Sequence, residues 1–425
     1  MNFRANARPV SAEATARATL LRMGTRKWLA VRIAEALCRI FVKSNKTHGP
    51  LATDCNSQMR ILVLEYWQLG DLAIAVPFLR ELRRTFPNAH IYLLLNEALQ
   101  RFLQGQGLAD EFIPIRVPWA QHLSRWKKYN PFSSLWIPFA RTILSLRARK
   151  FDFAFSGRMD FRDNFIIWIS GANRRVGYGF AGGSCFLTDI VSPDISRPHR
   201  ADLWLQLLEP FGSAREDDQL AFRIDDDMRQ QAADFLRSLN IGEHSFVIGI
   251  HPGARSPVRR WGDDKFAEVA KVLLRDNRVA ILWFSEPGSD TAPFAHARCH
   301  LVAAEFRKFL SILARCQLLI CNDSGPMHMA NLLGVPVVAI FGPQNPTWFG
   351  PQGPQDRVVI RPEMWCRPCF DYCIYDQPYC LRAISPEQTI ASIKGALVDI
   401  RGDLFDATID KSRMAVASGE RGNHG

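Results

Sequence analysis

The chain has 425 residues, 47% hydrophobic and 22% charged, with a formal net charge of +11 and ten cysteines. That length leaves room for two domains with full cores, the balance is that of an ordinary globular protein without a low-complexity tract, and no internal repeat recurs at solenoid periods. No apolar run approaches the ~20 residues of a membrane span, and the arginine-studded N-terminus reads against a secretory signal.

Residues 1–58 read as a basic extension. In the first 50, ten Lys or Arg stand against Glu13 and Glu35, so most of the net charge lies there. Leu20, Met23, Val31, Ala34, Cys38 and Phe41 fall along one side of a helix, with Arg32, Arg39 and Lys43 on another. Such a helix can rest on an anionic bilayer with its apolar side in the interface, or it can pack on the protein itself, or the extension can be a disordered basic tail. Gly24 and Lys27 interrupt the pattern. Basicity confined to one extension, without a recognised binding motif, speaks against nucleic acid as a partner.

Thr47-His48-Gly49-Pro50 breaks the helix, and a first domain is expected over residues 59–222. The β-rich run Arg60 to Tyr66 leads through Gln68-Leu69-Gly70-Asp71 into a helix from Leu72 to about Arg84. Further strands are expected at 91–95, 112–115 and 151–155, and this alternation predicts a mostly parallel sheet with helices on both faces. The segment Trp119 to Arg149 interrupts the rhythm and carries Lys127 and Lys128 among aromatics. It reads either as a ligand-contacting segment or as a helical surface excursion. Arg158, Asp160, Arg162 and Asp163 follow the strand ending at Phe155, at the carboxyl end where ligand loops lie in such sheets. A mutual salt-bridge network is the alternative.

A second domain is expected over 223–400, with strands near 246–250, 279–284, 318–321 and 335–341, a last helix at 386–400, and a polar tail over 401–425. Two of its strands lead into chemistry-bearing loops. One is His251-Pro252-Gly253-Ala254, running to Arg259-Arg260-Trp261. The other is Asn322-Asp323-Ser324-Gly325, opening a helix that carries His328. Small residues at a helix start leave backbone N–H groups facing an anion, and the dipole favours negative charge there, so a diphosphate is the expected occupant. Asp323 itself is negative and reads as a cap or loop-orienting residue. His328 reads as a phosphate donor or a buried structural histidine, and Trp261 as a packing anchor. Cys366, Cys369, Cys373 and Cys380 form a C-x2-C-x3-C-x6-C cluster that could hold a structural zinc. Free thiols and oxidised pairs are the rival readings.

The order and spacing of Leu69-Gly70-Asp71, His251-Pro252-Gly253-Ala254 with Arg260-Trp261, and Asn322-Asp323-Ser324-Gly325-Pro326-Met327-His328 with Phe341-Gly342-Pro343 resemble glycosyltransferase family 9 over roughly residues 59–395. The resemblance implies a GT-B architecture, α/β with two doubly wound Rossmann-like domains facing a central cleft. It implies inverting, metal-independent transfer of heptose from ADP-L-glycero-D-manno-heptose to a lipid-linked, lipopolysaccharide core-type saccharide at the cytoplasmic membrane face. No cofactor is required, in keeping with the lack of a convincing DxD site in the sequence.

Under that resemblance Asp71 is the catalytic base, where the residues alone equally allow a helix cap. Arg259, Arg260, Ser324, Gly325 and His328 then serve the donor diphosphate, with Asp323 orienting their loop and Glu286, preferred over Asp290, on the nucleoside. Arg158, Arg162, Lys127 and Lys128 become acceptor contacts. A lysine usually stands at the place of Arg259, and arginine changes the reach and fork geometry. A different nucleotide sugar, or a nucleotide-sugar-binding protein without transferase activity, are the remaining readings.

Overall fold

The computed structural model describes residues 25–42, 59–120, 130, 132–213, 222–285 and 294–400. The chain divides between Arg223 and Ile224 into two compact units, and Thr347–Phe349 groups with the first.

In the first unit six parallel strands run β1 (Arg60–Glu65), β2 (His90–Asn96), β3 (Glu111–Ile115), β4 (Phe153–Ser156), β5 (Arg174–Gly177) and β6 (Asp189–Ile190), in the order β3-β2-β1-β4-β5-β6. The central strand explains itself. Ile61 to Glu65 are all buried, the near-continuous apolar run of a strand covered on both faces. Among the described residues, five helices of seven or more residues accompany the sheet: α1 (Thr25–Phe41), α2 (Leu69–Thr85), α3 (Trp136–Leu146), α4 (Phe161–Ile169) and α5 (Arg200–Gln206). Ile143 and Leu146 of α3 share one core with Ile166 and Ile167 of α4 and with Leu62, Leu64 and Leu94 of the sheet, so α3 and α4 cover the same face.

Helix α1 belongs to this body. It packs on the turn Ser184–Phe186, where Cys38 and Val42 meet Cys185 and Phe186. Gly182, at φ +94°, lets it come close, since a Cβ there would fall 2.1 Å from Cγ1 of Val31. The side bearing Val31 and Cys38 is therefore turned to the protein. For the described part of that side, Val31 and Cys38, packing on the protein itself is the reading realised, while Leu20, Met23 and the side chain of Phe41 lie outside the described residues.

The second unit repeats the plan with α6 (Asp226–Ser238), β7 (Phe246–His251), α7 (Asp263–Leu273), β8 (Val279–Ser285), β9 (Cys299–Ala303), α8 (Phe306–Leu313), β10 (Leu318–Asn322), α9 (Gly325–Leu332), β11 (Val337–Phe341), β12 (Arg357–Ile360) and α10 (Pro386–Ile400). Its six parallel strands lie in the order β12-β11-β10-β7-β8-β9. In both units the first strand in the chain is central and the strand order reverses beside it. Ligand crevices form outside the carboxyl ends of the strands at such a switch.

Candidate functional site

In the first unit the carboxyl ends of β1 and β4 bring together a charged cluster. Gln68 is the N-cap of α2, with extended backbone, which puts Asp71 at the third helical position and not at the cap. The Asp71 carboxylate reaches back to accept the Gln68 backbone N–H at 3.2 Å on Oδ2, and it accepts Nη1–H of Arg158 at 2.9 Å on Oδ1. Its side chain is 23% exposed, so a ligand can reach it. Arg158 arrives on the loop after β4. Gly157 before it has no alternative, because a Cβ would stand 2.2 Å from the Trp204 ring of α5. The Arg158 guanidinium lies over Trp67 at 4.3 Å, a cation–π contact that fixes its plane.

Arg162 stands 5.6 Å from the Trp67 ring and 5.4 Å from that of Trp119, and Asp160 grips it through Nε at 2.9 Å. Asp160 also caps α4 by accepting the Arg162 backbone N–H. The salt-bridge alternative is thus half realised. Arg162 pairs with Asp160, but Arg158 pairs with Asp71. Arg162 also borders an apolar pocket of ≈ 240 Å³ between α3 and α4.

Two groups here, Glu65 and Arg200, were not foreseen, whereas Asp163 was among the residues singled out after Phe155. Glu65, the last residue of β1, is buried and accepts the Trp67 backbone N–H at 3.1 Å, with Arg158 4.0 Å away. Burial pushes its carboxyl up to about 8, Arg158 opposing and Asp71 reinforcing the rise, so it is largely protonated at neutral pH. Asp163, also buried, accepts a short hydrogen bond from the Tyr66 hydroxyl and is pushed up to about 7 by burial and then by Asp160. Arg200, at the start of α5, is drawn down to about 10 by burial and the like charge of Arg158, while Asp71 works against that fall. An acid ending an otherwise apolar strand was the available signal for Glu65. Nothing local marked Arg200.

In the second unit Arg259 is held by two carboxylates. Asp371 takes it in a fork, Nε to Oδ1 at 2.6 Å and Nη2 to Oδ2 at 2.8 Å, and Nη1 stands 3.3 Å from Oδ2 of Asp323. Asp323 is buried, and burial raises it to about 6 against the pull of Arg259. Its work is this ion pair, which orients the loop; the N-cap of α9 is Ser324. Ser324 does not cap through its side chain either, since its hydroxyl donates to the Asn322 carbonyl at 3.1 Å. Pro326 has no N–H, and that of Met327 goes to the Ser324 carbonyl at 3.2 Å. Of the first three helical residues only Gly325 therefore offers a backbone donor, a narrower anion cradle than small residues alone suggest. His328 follows in the same turn, half-buried.

Arg260 closes the basic loop by donating from Nε to the Ala254 carbonyl at 2.8 Å. Trp261 is 3% exposed, its indole N–H donating to Ile384 and its backbone N–H to Asn322 Oδ1, which makes it a packing anchor. Asn322 completes the joint by donating to the Pro252 carbonyl at 2.6 Å. His251 is drawn down to about 4 by burial and stays neutral near pH 7.

Of the readings of Cys366, Cys369, Cys373 and Cys380, the zinc site finds no support and free thiols are what the structure holds. Among the described residues no group of three or more His, Cys, Asp or Glu side chains could hold a metal ion. Cys373 Sγ donates to the Gln377 carbonyl, and the cation beside the other three is Arg367. Its guanidinium is fixed by the carbonyls of Gly342, Gln344 and Arg361. The segment does other work. Cys369 and Phe370 both donate to the Pro343 carbonyl, at 2.9 and 3.3 Å, and Phe370 and Asp371 follow with φ of 52° and 70°. That strained turn, worth about 1–3 kcal/mol per residue, delivers Asp371 to Arg259. Lys127, Lys128 and Glu286 lie outside the described residues.

Comparison with known proteins bears on the family and the fold. The family model "Glycosyltransferase family 9 (heptosyltransferase)" matches residues 139–379, more than half of the chain. Lipopolysaccharide heptosyltransferase 2 of Escherichia coli is 24% identical over 325 residues, 71% of this chain and 88% of that protein. Lipooligosaccharide heptosyltransferase 2 of Campylobacter jejuni is 24% identical over 356 residues, 79% of this chain and 98% of that protein. Among solved structures, the E. coli ADP-heptose lps heptosyltransferase II superposes with a TM-score of 0.59 at 20% identity, covering 80% of this chain and 99% of that one. The family 9 glycosyl transferase from Veillonella parvula superposes with a TM-score of 0.64 at 24% identity, covering 81% and 98%. Two parallel, doubly wound six-stranded sheets with these neighbours constitute the GT-B fold, and the chain belongs to glycosyltransferase family 9.

Proposed function

We propose that this glycosyltransferase moves a heptose from ADP-L-glycero-D-manno-heptose to a lipid-linked, lipopolysaccharide core-type acceptor at the inner face of the plasma membrane, with inversion and without a metal. The observation that carries the reading is the placement of Asp71. A partly exposed carboxylate at the carboxyl end of β1, oriented by Arg158 and the Gln68 N–H, suits a base that takes a proton from an acceptor hydroxyl. The oxygen so activated attacks the anomeric carbon from the face opposite the leaving ADP, which inverts that carbon. Arg158 and Arg162, stacked on Trp67, supply positive charge for an anionic acceptor sugar.

The leaving diphosphate needs compensating charge. Arg259, Arg260, the Gly325 N–H and His328 are the groups of the second unit that serve it, with Glu286 on the nucleoside. The relatives named as heptosyltransferases support this donor class. One observation favours a second reading within the family. Arg259 is committed to Asp371 and Asp323, so the diphosphate must compete for it, and the donor can differ from that of enzymes with a lysine there.

The deciding experiment is calorimetric titration in EDTA with ADP-heptose, ADP, and UDP- and GDP-sugars. Selective binding of ADP-heptose is expected. Preference for another nucleotide sugar overturns the donor assignment while leaving the family intact.

A further inference from the structure

The side of α1 turned away from the body is apolar. Leu29, Ile33 and Leu37, four residues apart, form one ridge and are 54%, 55% and 55% exposed. The helix cannot roll to hide them, because its other side is tied down. Glu35 is buried and accepts from the Ser184 hydroxyl and from Arg39, and Val31 sits against Gly182. Arg32 and Arg39 line one flank of the ridge and share the single carboxylate of Glu35, at 3.8 and 3.2 Å, which leaves that flank net positive.

A second exposed apolar group lies on the same layer of the first unit. Helix α4 packs against both α3 and the turn that carries α1. On α3, Ile137 and Leu144 face solvent, Phe132 precedes them almost fully exposed, and Phe165 of α4 is partly exposed. Arg141 of α3 and Arg147, just past its end, are also exposed.

We propose that the Leu29–Ile33–Leu37 ridge docks on an anionic lipid bilayer. Its side chains enter the interface while Arg32 and Arg39 sit at headgroup level. Charge decides for a bilayer over a second copy of this chain. An isologous contact would bring the arginine flanks and two basic extensions together, whereas anionic headgroups complement both. Three aliphatic side chains also fall short of the roughly 800 Å² per partner of a stable protein interface. The purpose of docking, access to a lipid-linked acceptor, rests on the proposed function; the docking itself does not.

The test is flotation of the full chain with vesicles of phosphatidylethanolamine and phosphatidylglycerol, against vesicles of phosphatidylcholine alone. The wild type is expected to float with the anionic vesicles and to be released by salt. The triple variant Leu29→Gln, Ile33→Gln, Leu37→Gln keeps the charge and should lose at least about tenfold in partitioning, with unchanged thermal unfolding and donor titration. Equal partitioning of variant and wild type, or no flotation of the wild type, overturns the proposal. So does a wild-type dimer in sedimentation velocity that the triple variant dissolves, since a second copy then covers the ridge. Donor titration reports on the sugar-transfer reading independently, so either idea can fail alone.

Discussion

Asp371 holds Arg259 through two guanidinium nitrogens, at 2.6 and 2.8 Å, across 112 residues of sequence. With Asp323 adding a second carboxylate at 3.3 Å, the charge expected to meet a diphosphate is compensated within the protein. A charge-assisted fork of this kind is among the stronger side-chain contacts, so a donor phosphate has to displace or share it. Asp371→Asn should therefore tighten ADP binding, by about three- to tenfold for an interaction near 1 kcal/mol, whereas Arg259→Ala should weaken it by about tenfold or more. Calorimetry on both variants decides the role. Weakening in both would make Asp371 an orienting residue and not a competitor.

Asp71→Asn keeps shape and removes the proton acceptor. If Asp71 is the base, kcat should fall by about 10²–10⁴, while donor affinity, measured by titration, should stay within about twofold. Arg158→Gln should act differently. It withdraws the partner on Oδ1 and the cation over Trp67, and so should raise the acceptor KM more than it lowers kcat. Equal loss of kcat in both variants would merge the two roles.

Much of this site was legible because it follows strands that announce themselves. The run Arg60 to Glu65 is apolar enough to be central, and Leu69-Gly70-Asp71 directly after it marks the first turn of a helix. The loops at 251–261 and 322–328 were found for the same reason. The misses share a different cause. β5, β6, β9 and β12 are sheet-edge or near-edge strands of two to five residues, too short and too polar for a period to register. Asp371 and Arg200 act at long range, one from a cysteine-rich loop and one from a helix start, and no local pattern ties either to its partner. The cysteine spacing left three readings open because it says nothing about where the thiols point; here an arginine fixed by three carbonyls lies among them.

Glu65 gives the first unit a pH signature. Its carboxyl ionises near 4.5 in an unfolded chain and near 8 in the fold, chiefly through burial. The folded state then holds a proton that the unfolded state has lost between those values, so stability falls as pH rises through that window. Asp163, raised to about 7, acts in the same direction. Glu65→Gln removes the larger contribution and should leave the protein more stable than wild type at pH 8, by on the order of a few kcal/mol, with little difference at pH 4.5. Thermal unfolding across that range tests this, and parallel curves for the two proteins would show that Glu65 is ionised in the fold.

Gly182 sets whether α1 stays on the body. A methyl group there meets two objections at once: φ is +94°, and Cγ1 of Val31 stands 2.1 Å from the Cβ position. Either the backbone strains or the helix lifts. Overpacking of this kind costs about 1–3 kcal/mol, and lifting exposes Glu35, whose carboxylate would lose the Ser184 hydroxyl while keeping Arg32 and Arg39 within its own helix. The cheaper response is to release α1, because the two sheets and their cores do not depend on it. Gly182→Ala should accordingly leave the main unfolding transition within a few degrees of wild type, while trypsin cleaves the helix at Arg32 and Arg39 much faster. A large drop in the main transition without faster cleavage would mean that α1 and the first unit fold as one.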